Sequence, residues 1–437
     1  EIVKLIDFME KYMSGEKLDV DYGKVRELFC NKDCALNHYL NRLLDELDPN
    51  VVKTTSLHFG FEAMLHGTKT IRKMRTIHDC NIPWLILMDP TSACNLHCTG
   101  CWAAEYGNKL NLSYDELSNV VKQGKELGVY FYMFTGGEPL VRKNDIIKLC
   151  KEHHECQFLA FTNGTLVDEA FCEEMKKVGN LMLAISLEGS PEVNDLRRGE
   201  GVYGKVMHAM DLLKENGLIF GTSICYTSKN CESVTSKEFV KLMVDKGCRY
   251  AMYFHYMPVG NDASLELLPT PEQRMYIKDR IREIRKLENG EGLFTMDFQN
   301  DGEFVGGCIA GGKNYFHINA NGDAEPCVFI HYSGANIRTH SLLEILKQPL
   351  FMAYRDNQPF NENHLRPCPM LENPEILQRL VKETGAKSTD LQSPETVEHL
   401  CTKCEEYAKN WKPCADKLWS ETEVAPKSYE NYKKQNI

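Results

Sequence analysis

The chain has 437 residues and a formal net charge of −11, with 51 lysines and arginines against 62 aspartates and glutamates. This balance argues against a nucleic-acid partner, because phosphate binding requires a basic face. The 18 cysteines are about 4% of the chain, far below the share in disulfide-stapled domains. No window predicts a membrane span, and the charged N-terminal residues exclude a signal peptide. The sequence therefore predicts a cytoplasmic protein whose clustered thiols bind metal or take part in catalysis.

The N-terminal half predicts two regions. Residues 1–80 place apolar side chains three and four positions apart, which predicts an all-helical N-terminal region. From 81 to 268, short apolar runs alternate with amphipathic stretches. Strands and helices in strict alternation imply a parallel sheet with right-handed crossovers. The predicted fold is therefore α/β, with a partial (β/α)6 barrel that resembles a TIM barrel.

The C-terminal half predicts three further regions. Residues 269–303 read as a charged helical connector, with Pro271 in the first turn of its helix. Residues 304–419 are rich in Gly, Pro, Asn and Cys, which predicts a small cysteine-rich domain organised by metal. Residues 420–437 are polar and without periodicity, so we expect a frayed tail.

Three cysteines follow the first predicted barrel strand in a C-x3-C-x2-C pattern: Cys94, Cys98 and Cys101. Three thiolates in one loop can ligate three irons of a [4Fe–4S] cluster and leave the fourth iron open. Zinc is the alternative, since Cys98 and Cys101 have zinc-knuckle spacing and His97 is the nearest fourth ligand. The position of the loop favours a ligand site, because ligands of β/α barrels lie at the carboxyl ends of strands.

A second motif follows the next predicted strand: Gly136, Gly137, Glu138 and Pro139. Two glycines allow the backbone to approach a ligand closely, and Glu138 supplies an acceptor for an ammonium group. Alone, the motif predicts only a tight turn before a helix. Because it follows the strand next to the cysteine loop, we expect it to form part of the same site.

These two motifs together resemble those of the radical S-adenosylmethionine (SAM) enzymes. Further similarities lie at the ends of later strands: Asn163, Ser186, Glu188, Arg198 in DLRRG, and Met257. The resemblance implies that these residues and the GGEP segment bind SAM. One position departs from the family pattern, since Gly100 stands where many members have an aromatic residue.

The resemblance also implies an activity. A [4Fe–4S] cluster, reduced by a protein such as flavodoxin or ferredoxin, would cleave SAM to methionine and a 5′-deoxyadenosyl radical. That radical would abstract hydrogen from an unactivated C–H bond. The protein would orient the cofactor and exclude water.

Cys308 and Cys327 form a C-x13-G-x4-C pattern with Gly322, which resembles the opening of a SPASM or twitch domain. A predicted hairpin with a turn at Asn321 and Gly322 brings the two cysteines near each other. The resemblance implies at least one auxiliary [4Fe–4S] cluster, with its other ligands among Cys368, Cys401 and Cys404. The closing C-x3-C of a full SPASM domain is missing, Cys414 is left unassigned, and zinc at the last three cysteines is the alternative. Single cysteines on barrel elements are expected to be structural: Cys150, Cys156, Cys172, Cys225, Cys231 and Cys248.

The barrel motifs do not specify a substrate. Among SPASM-bearing relatives, peptides and proteins are the commonest substrates, so a peptide or protein is the first prediction. Lipid alkyl chains are the alternative, because residues 51–67 carry closely spaced apolar side chains that suggest peripheral contact with a membrane. A zinc-stabilised scaffold without catalysis is the third hypothesis. The polar flanks supply pocket candidates: His255, Tyr256, Asn261, Asp262, Asp297, Gln299, Asp301, His331 and Tyr332.

Overall fold

The computed structural model describes residues 31–103 and 106–422, together with five isolated residues before them. Most of the helix predicted at the start of the chain, EIVKLIDFMEKYM, lies outside the described residues. Among the helices that are described, none combines the length and the apolar character needed to cross a membrane.

One sheet of nine strands dominates the fold, in the order β7-β6-β5-β4-β3-β2-β1-β8-β9. Strands β1 to β8 pair in parallel, and β9 pairs antiparallel to β8. The strands are β1 (Leu85–Met88), β2 (Phe131–Phe134), β3 (Gln157–Thr162), β4 (Leu181–Ser186), β5 (Phe220–Tyr226), β6 (Tyr250–His255), β7 (Phe294–Asp297), β8 (Tyr315–Ile318) and β9 (Ala324–Glu325). A separate pair consists of β10 (Tyr332–Ser333) and β11 (Lys387–Ser388).

The partial barrel predicted from the sequence is confirmed, and the structure extends it at both edges. Strand β7 lies inside the segment 269–303 that the sequence predicts to be a helical connector. Strand β8 lies in the predicted cysteine-rich region and pairs along β1, from Leu85↔Tyr315 to Met88↔Ile318. The cysteine-rich region is therefore joined to the barrel sheet itself. The domain boundaries given above stay predictions.

Helices surround this sheet and also precede and follow it in the described part of the chain. Those before β6 are α1 (Ala35–Asp45), α2 (Pro49–Thr55), a π-helix (Ser56–Gly67), α3 (Thr68–His78), α4 (Tyr114–Glu126), α5 (Lys143–Glu152), α6 (Glu169–Val178), α7 (Pro191–Arg198), α8 (Val202–Glu215) and α9 (Lys237–Asp245). Those after β6 are α10 (Pro271–Ile284), α11 (Gly302–Val305), α12 (Leu342–Leu346), α13 (Pro349–Asn357), α14 (Pro374–Thr384) and α15 (Val397–Ser420). Short 3₁₀ helices span Pro139–Arg142, Ser233–Thr235 and Leu265–Leu267.

The barrel strands are buried on both faces, which is why they read as nearly continuous apolar runs. One face packs against the surrounding helices in a large core that includes Ile86, Phe134 and Phe158. The other face fills the inside of the barrel, and its members include Leu87, Phe131 and Met252.

The N-terminal helices close the end of the barrel where the strands begin. Three of their residues donate hydrogen bonds to backbone carbonyls that lie shortly before a barrel strand. Arg42 donates to Val244 before β6, Asp48 N–H donates to Gly217 before β5, and Asn50 donates to Lys176 before β4. The Trp84 indole donates to the Ala63 carbonyl over 3.0 Å. The carboxyl ends of the strands therefore face away from these helices.

The C-terminal helices build a second hydrophobic core, which includes Tyr354, Leu377 and Trp411. Buried Cys401 and Cys404 belong to this core, and half-buried Cys308, Cys327 and Cys368 pack against it. The cysteine-rich region therefore has an apolar core of its own in addition to its cysteines.

Candidate active site

The loop with Cys94, Cys98 and Cys101 begins at the carboxyl end of β1, and all three thiols are half-buried. Burial raises the pKa of Cys94 to about 11. Burial also raises the pKa of Cys98, against the opposing charge of Arg198. Because iron binds the thiolate, cluster assembly must release these protons.

The GGEP segment lies directly against the backbone that leads into this loop. Gly137 N–H donates to the Thr91 carbonyl over 3.1 Å, and Glu138 N–H donates to the Ala93 carbonyl over 2.8 Å. A Cβ atom on Gly137 would lie 2.2 Å from the Ala93 oxygen, so only glycine fits there. Gly136 has a positive φ of 104° and packs on Asp89. The two predicted motifs therefore form one continuous wall at the strand ends.

The Glu138 carboxylate is fully buried and joins the ends of two strands. Its Oε1 accepts from the Thr162 hydroxyl over 2.7 Å and from Leu140 N–H over 2.9 Å, and its Oε2 accepts from Asn163 N–H over 2.7 Å. Burial raises the pKa of this carboxyl, although these hydrogen bonds oppose the shift. Pro139 begins the short helix that Glu138 caps. Glu138 thus positions the wall through contacts that the sequence does not predict.

Glu188 and the end of α7 form the opposite side of the site. Glu188 is fully buried, and its Oε1 accepts hydrogen bonds from both Arg197 and Arg198. Its Oε2 is buried without any hydrogen-bond partner. The Arg198 Nη1 atom lies 4.0 Å from the Cys98 Sγ atom. Two guanidinium groups therefore fix the Glu188 carboxylate beside the cysteine loop, and its Oε2 atom can accept a hydrogen bond.

Backbone contacts join α7 to the middle of the cysteine loop. Thr99 N–H donates to the Arg197 carbonyl over 2.9 Å, and the Arg197 Nε donates to the Thr99 carbonyl over 3.2 Å. Burial lowers the pKa of Arg197, but the charges of Cys225 and Glu188 outweigh burial, so the net pKa is raised. Cys225 near the end of β5 thus lies beside this site, where the sequence predicts only a structural cysteine.

The departure from the family pattern at Gly100 has a packing reason. Gly100 has a φ of 67°, and a Cβ atom there would lie 2.8 Å from the Tyr256 ring. The buried Tyr256 therefore supplies an aromatic ring at this position from the end of β6. Neighbouring Met257 is buried in the C-terminal core, and Ser186 is half-buried at the end of β4.

A buried polar network behind the cysteine loop joins β1 to the β8–β9 hairpin. His317 Nε2 lies 2.8 Å from Asp89 Oδ1, and His317 Nδ1 lies 2.7 Å from Glu325 Oε2. The Tyr106 hydroxyl donates to both oxygens of Glu325. Burial lowers the pKa of His317, but the two carboxylates raise it to about 10, so the imidazole is a cation. Asp89 Oδ2 is buried without a hydrogen-bond partner.

Trp102 joins this network to the cysteine loop. Its ring lies edge-on to His317, Phe329 and His331, at centroid distances of 5.8, 6.3 and 6.0 Å. His331 stacks on Tyr106 at 4.5 Å and binds Asp390 through Nδ1 over 2.5 Å. Trp102 therefore contacts His317 on β8 and two aromatic side chains that follow Cys327 in the chain.

The C-terminal cysteines form two groups. Burial and the charge of Glu372 raise the pKa of Cys368, and the charges of nearby Cys308 and Cys327 raise it as well, so these three cysteines form one group. The Tyr315 hydroxyl lies 2.8 Å from the Cys327 Sγ. Cys401 and Cys404 are one turn apart on α15, and the pKa of Cys401 is raised by burial to about 12.

Tyr354 lies between these two groups. Besides burial, the charges of Cys308, Cys327, Cys368 and Cys401 all raise its pKa. Cys414 lies about three turns beyond Cys404 on the same helix. The structure thus places the five predicted auxiliary ligands in or against one core, and Cys414 packs against the same core.

Three of the nine predicted pocket residues instead attach the C-terminal region to the barrel: His255, Asn261 and Gln299. His255 binds the Tyr407 hydroxyl over 2.7 Å, Gln299 donates to Glu372 over 2.7 Å, and Asn261 donates to Ser393. Asp301 pairs with Arg285, Tyr332 donates to the Glu395 carbonyl, and Asp297 accepts from Asn300. Asp262 is exposed.

In the part of the chain that is described, no three His, Cys, Asp or Glu side chains converge as a single metal ion would require. This geometry does not bear on a [4Fe–4S] cube, because each thiolate there binds a different iron.

Family models match two parts of the chain. The model described as radical SAM superfamily covers residues 88–229, and that of the SPASM iron–sulfur cluster-binding domain covers residues 308–370. The chain is a SPASM-type radical SAM enzyme. It uses SAM, a SAM-binding [4Fe–4S] cluster and at least one auxiliary [4Fe–4S] cluster.

Two relatives of this radical SAM enzyme are named for different activities. An AdoMet-dependent heme synthase from Methanosarcina barkeri is 25% identical over 303 residues, which cover 63% of this chain and 86% of that protein. A PqqA peptide cyclase from Granulibacter bethesdensis is 27% identical over 312 residues, covering 67% and 81%. The solved structure of Streptococcus suis SuiB bound to S-adenosylmethionine superposes with a TM-score of 0.57 at 19% identity, covering 74% and 79%. This last likeness shows the fold alone.

Three structural observations indicate that the site of this radical SAM enzyme fits its cofactors. The three thiols share one half-buried loop. Gly137 lets the GGEP segment pack directly against the backbone that leads into that loop, and Glu188 presents a buried oxygen without a donor. SAM carries an ammonium group and ribose hydroxyls, which are donors of the kind that such an oxygen requires.

Proposed function

We propose that this radical SAM enzyme abstracts a hydrogen atom from an unactivated C–H bond of a peptide or protein. The proposal rests on the contacts of the C-terminal region with the carboxyl end of β6, where His255 binds the Tyr407 hydroxyl and Asn261 donates to Ser393. The PqqA peptide cyclase, whose name states a peptide substrate, supports the substrate class.

Cys94, Cys98 and Cys101 would hold the SAM-binding cluster, and Gly136, Gly137, Glu138, Pro139, Asn163, Ser186, Glu188, Arg198 and Met257 would surround SAM. When bound, SAM at the reduced cluster supplies a radical that removes hydrogen from carbon. Arg197 and Arg198 orient the Glu188 carboxylate, whose partnerless oxygen can accept from SAM. The two glycines let the GGEP segment lie against the backbone that leads into the cysteine loop.

Aromatic side chains line the substrate's approach in this proposal. Phe254 stacks on Phe298 at a centroid distance of 4.4 Å, and Phe161 meets Phe254 edge-on at 5.9 Å. Phe298 is two-fifths exposed, directly after β7. These rings exclude water from the inside of the barrel and offer an apolar contact to the substrate.

Cys308, Cys327, Cys368, Cys401 and Cys404 would supply the ligands of the auxiliary cluster. Glu372 accepts from Cys368 N–H over 2.6 Å and pairs with the buried Arg274 at 2.7 Å. Such contacts orient a ligand and tune its metal centre. The reductant in this proposal is a small electron carrier such as flavodoxin or ferredoxin.

Lipid alkyl chains remain a second candidate. The exposed apolar residues of the 51–67 segment favour lipid contact, but they lie on helices that close the opposite end of the barrel from the cysteine loop. This placement does not deliver an acyl chain to the site, so we rank the peptide first.

The test uses the enzyme reconstituted without oxygen and reduced with dithionite, and measures 5′-deoxyadenosine. Cell extract is expected to stimulate its formation, and protease treatment of the extract is expected to abolish that stimulation. Stimulation that survives protease and passes into an organic extract would identify a lipid or tetrapyrrole and overturn the peptide proposal. Cys98→Ala is the control for SAM cleavage that does not depend on this site.

A further inference from the structure

A single continuous helical stretch, which we call the basal helix (residues 49–78), lies across the closed end of the barrel. Its inner face packs on the barrel through Val51, Ala63 and Ile71. Phe59 on this face meets the rings of Trp84 and Phe131 at 5.8 and 5.2 Å. The basal helix is therefore fixed in orientation, and its other face is directed away from the barrel.

The middle of that outer face is apolar and exposed. Leu57, Phe61, Met64 and Leu65 are 48%, 54%, 52% and 38% exposed. All four lie in the π-helix Ser56–Gly67, whose buried residues Ala63 and Gly67 mark the opposite, inner face, so the four side chains share the outer face. Large side chains in one exposed patch indicate an interaction site more than scattered apolar residues do.

Cations flank this patch on both sides. Lys53 precedes it, and Lys69, Arg72 and Lys73 follow it, all four exposed. None of these four forms an ion pair with another residue that the structure describes, whereas Lys176 and Lys177 on the barrel surface pair with Glu173 and Glu174. Between residues 49 and 78 the sole acidic residue is Glu62, which pairs with His66 at 2.9 Å.

This local charge is opposite to that of the whole chain, which carries −11. An apolar stripe flanked by basic residues is the pattern of a helix that lies in the interface of an anionic bilayer. Its apolar side chains enter the acyl boundary while the cations meet lipid phosphates.

We propose that the outer face of the basal helix docks the enzyme on an anionic lipid bilayer. The contact is peripheral, and the cysteine loop at the other end of the barrel faces away from the bilayer. Docking therefore localises the enzyme while leaving its active site open to substrates in the aqueous phase.

Flotation with vesicles tests this docking on the full chain without SAM or substrate. We expect binding to phosphatidylcholine vesicles that contain phosphatidylglycerol, and none to phosphatidylcholine alone. Each cation near an anionic surface is worth about fivefold in affinity, so Lys69→Glu/Arg72→Glu/Lys73→Glu should weaken binding at least about a hundredfold. Phe61→Ser/Met64→Ser should also abolish flotation.

Matched variants control for overall charge and hydrophobicity. Lys205→Glu/Lys237→Glu/Lys409→Glu makes the same charge change on exposed lysines elsewhere, and Leu391→Ser removes an exposed apolar side chain of the C-terminal region. Both should bind as the parent chain does, and circular dichroism checks the fold of every variant. Absence of flotation, or equal loss in the control triple variant, overturns the proposal. So does self-association in analytical ultracentrifugation without vesicle binding, because a second copy would then cover the patch.

Discussion

Asp89 Oδ1 and His317 Nε2 are 2.8 Å apart although 228 positions separate the two residues in the chain. This hydrogen bond joins the end of β1, where the cysteine loop begins, to the strand that brings the SPASM region into the sheet. Glu325 holds the other imidazole nitrogen, so a buried cation lies between two carboxylates. The two cofactor regions are therefore linked by charge as well as by strand pairing.

This link predicts a pH dependence of stability. The pKa of His317 is about 10 in the folded chain against 6.5 for an ordinary histidine. A raised histidine pKa stabilises the fold fully below pH 6.5, and that contribution is lost as the pH rises towards 10. Up to about 1.4 kcal/mol of unfolding free energy is lost per pH unit in this window. Urea unfolding followed by circular dichroism measures it.

Variants of the pair isolate this contribution from other titrating groups. His317→Gln should have a flatter alkaline limb than the parent chain, and Asp89→Asn should shift the loss to lower pH. Parallel alkaline limbs in all three chains would show that His317 is not the titrating group.

The contact between Gly137 and Ala93 predicts that the GGEP wall tolerates no side chain. Gly137→Ala should cost about 1–3 kcal/mol of unfolding free energy and weaken SAM binding, because its Cβ would meet the Ala93 oxygen at 2.2 Å. Urea unfolding and isothermal titration with SAM measure the two effects. Gly204→Ala is the matched control, since Gly204 is an exposed helical glycine with open space around it. It should gain about 0.5–1 kcal/mol. Equal behaviour of the two variants would contradict the close approach.

The cysteine loop and the C-terminal auxiliary cysteines predict separable losses of iron. Cys98→Ala should lose about four irons per chain and all SAM cleavage, because the SAM-binding cluster lacks a ligand. Cys368→Ala should lose about four irons of the auxiliary cluster but still cleave SAM. Iron analysis and electron paramagnetic resonance of the reduced proteins distinguish the two. Cys30→Ala, which alters an exposed cysteine outside both groups, should leave both readouts unchanged. An unchanged spectrum of Cys368→Ala would remove that residue from the ligand set.

The buried pair of Arg274 and Glu372 predicts a strong coupling next to Cys368. Both side chains are fully buried, and Arg274 also lies 4.1 Å from the centre of the Trp411 ring. Arg274→Met should cost roughly 3–5 kcal/mol, because it leaves the buried Glu372 carboxylate without its cationic partner. The double variant Arg274→Met/Glu372→Leu should cost less than the sum of the single changes. Urea unfolding of all four chains completes this double-mutant cycle, and additive costs would argue against coupling.

The sequence by itself determined the local chemistry of this enzyme. The cysteine loop, the GGEP segment and the C-x13-G-x4-C pattern are each contiguous, so their spacing already specifies which groups are presented together. The six central strands were equally accessible, because buried parallel strands appear as apolar runs between amphipathic helices.

Only the tertiary structure decided how these local pieces meet. The pairing of β8 with β1 and the contacts of His317, Tyr256 and Arg274 join residues far apart in the chain, and no local pattern encodes such partners. The same holds for residues 51–67, whose apolar side chains the sequence could not divide between the barrel and the surface. Packing made that division, since a side chain is buried or exposed only relative to the rest of the fold.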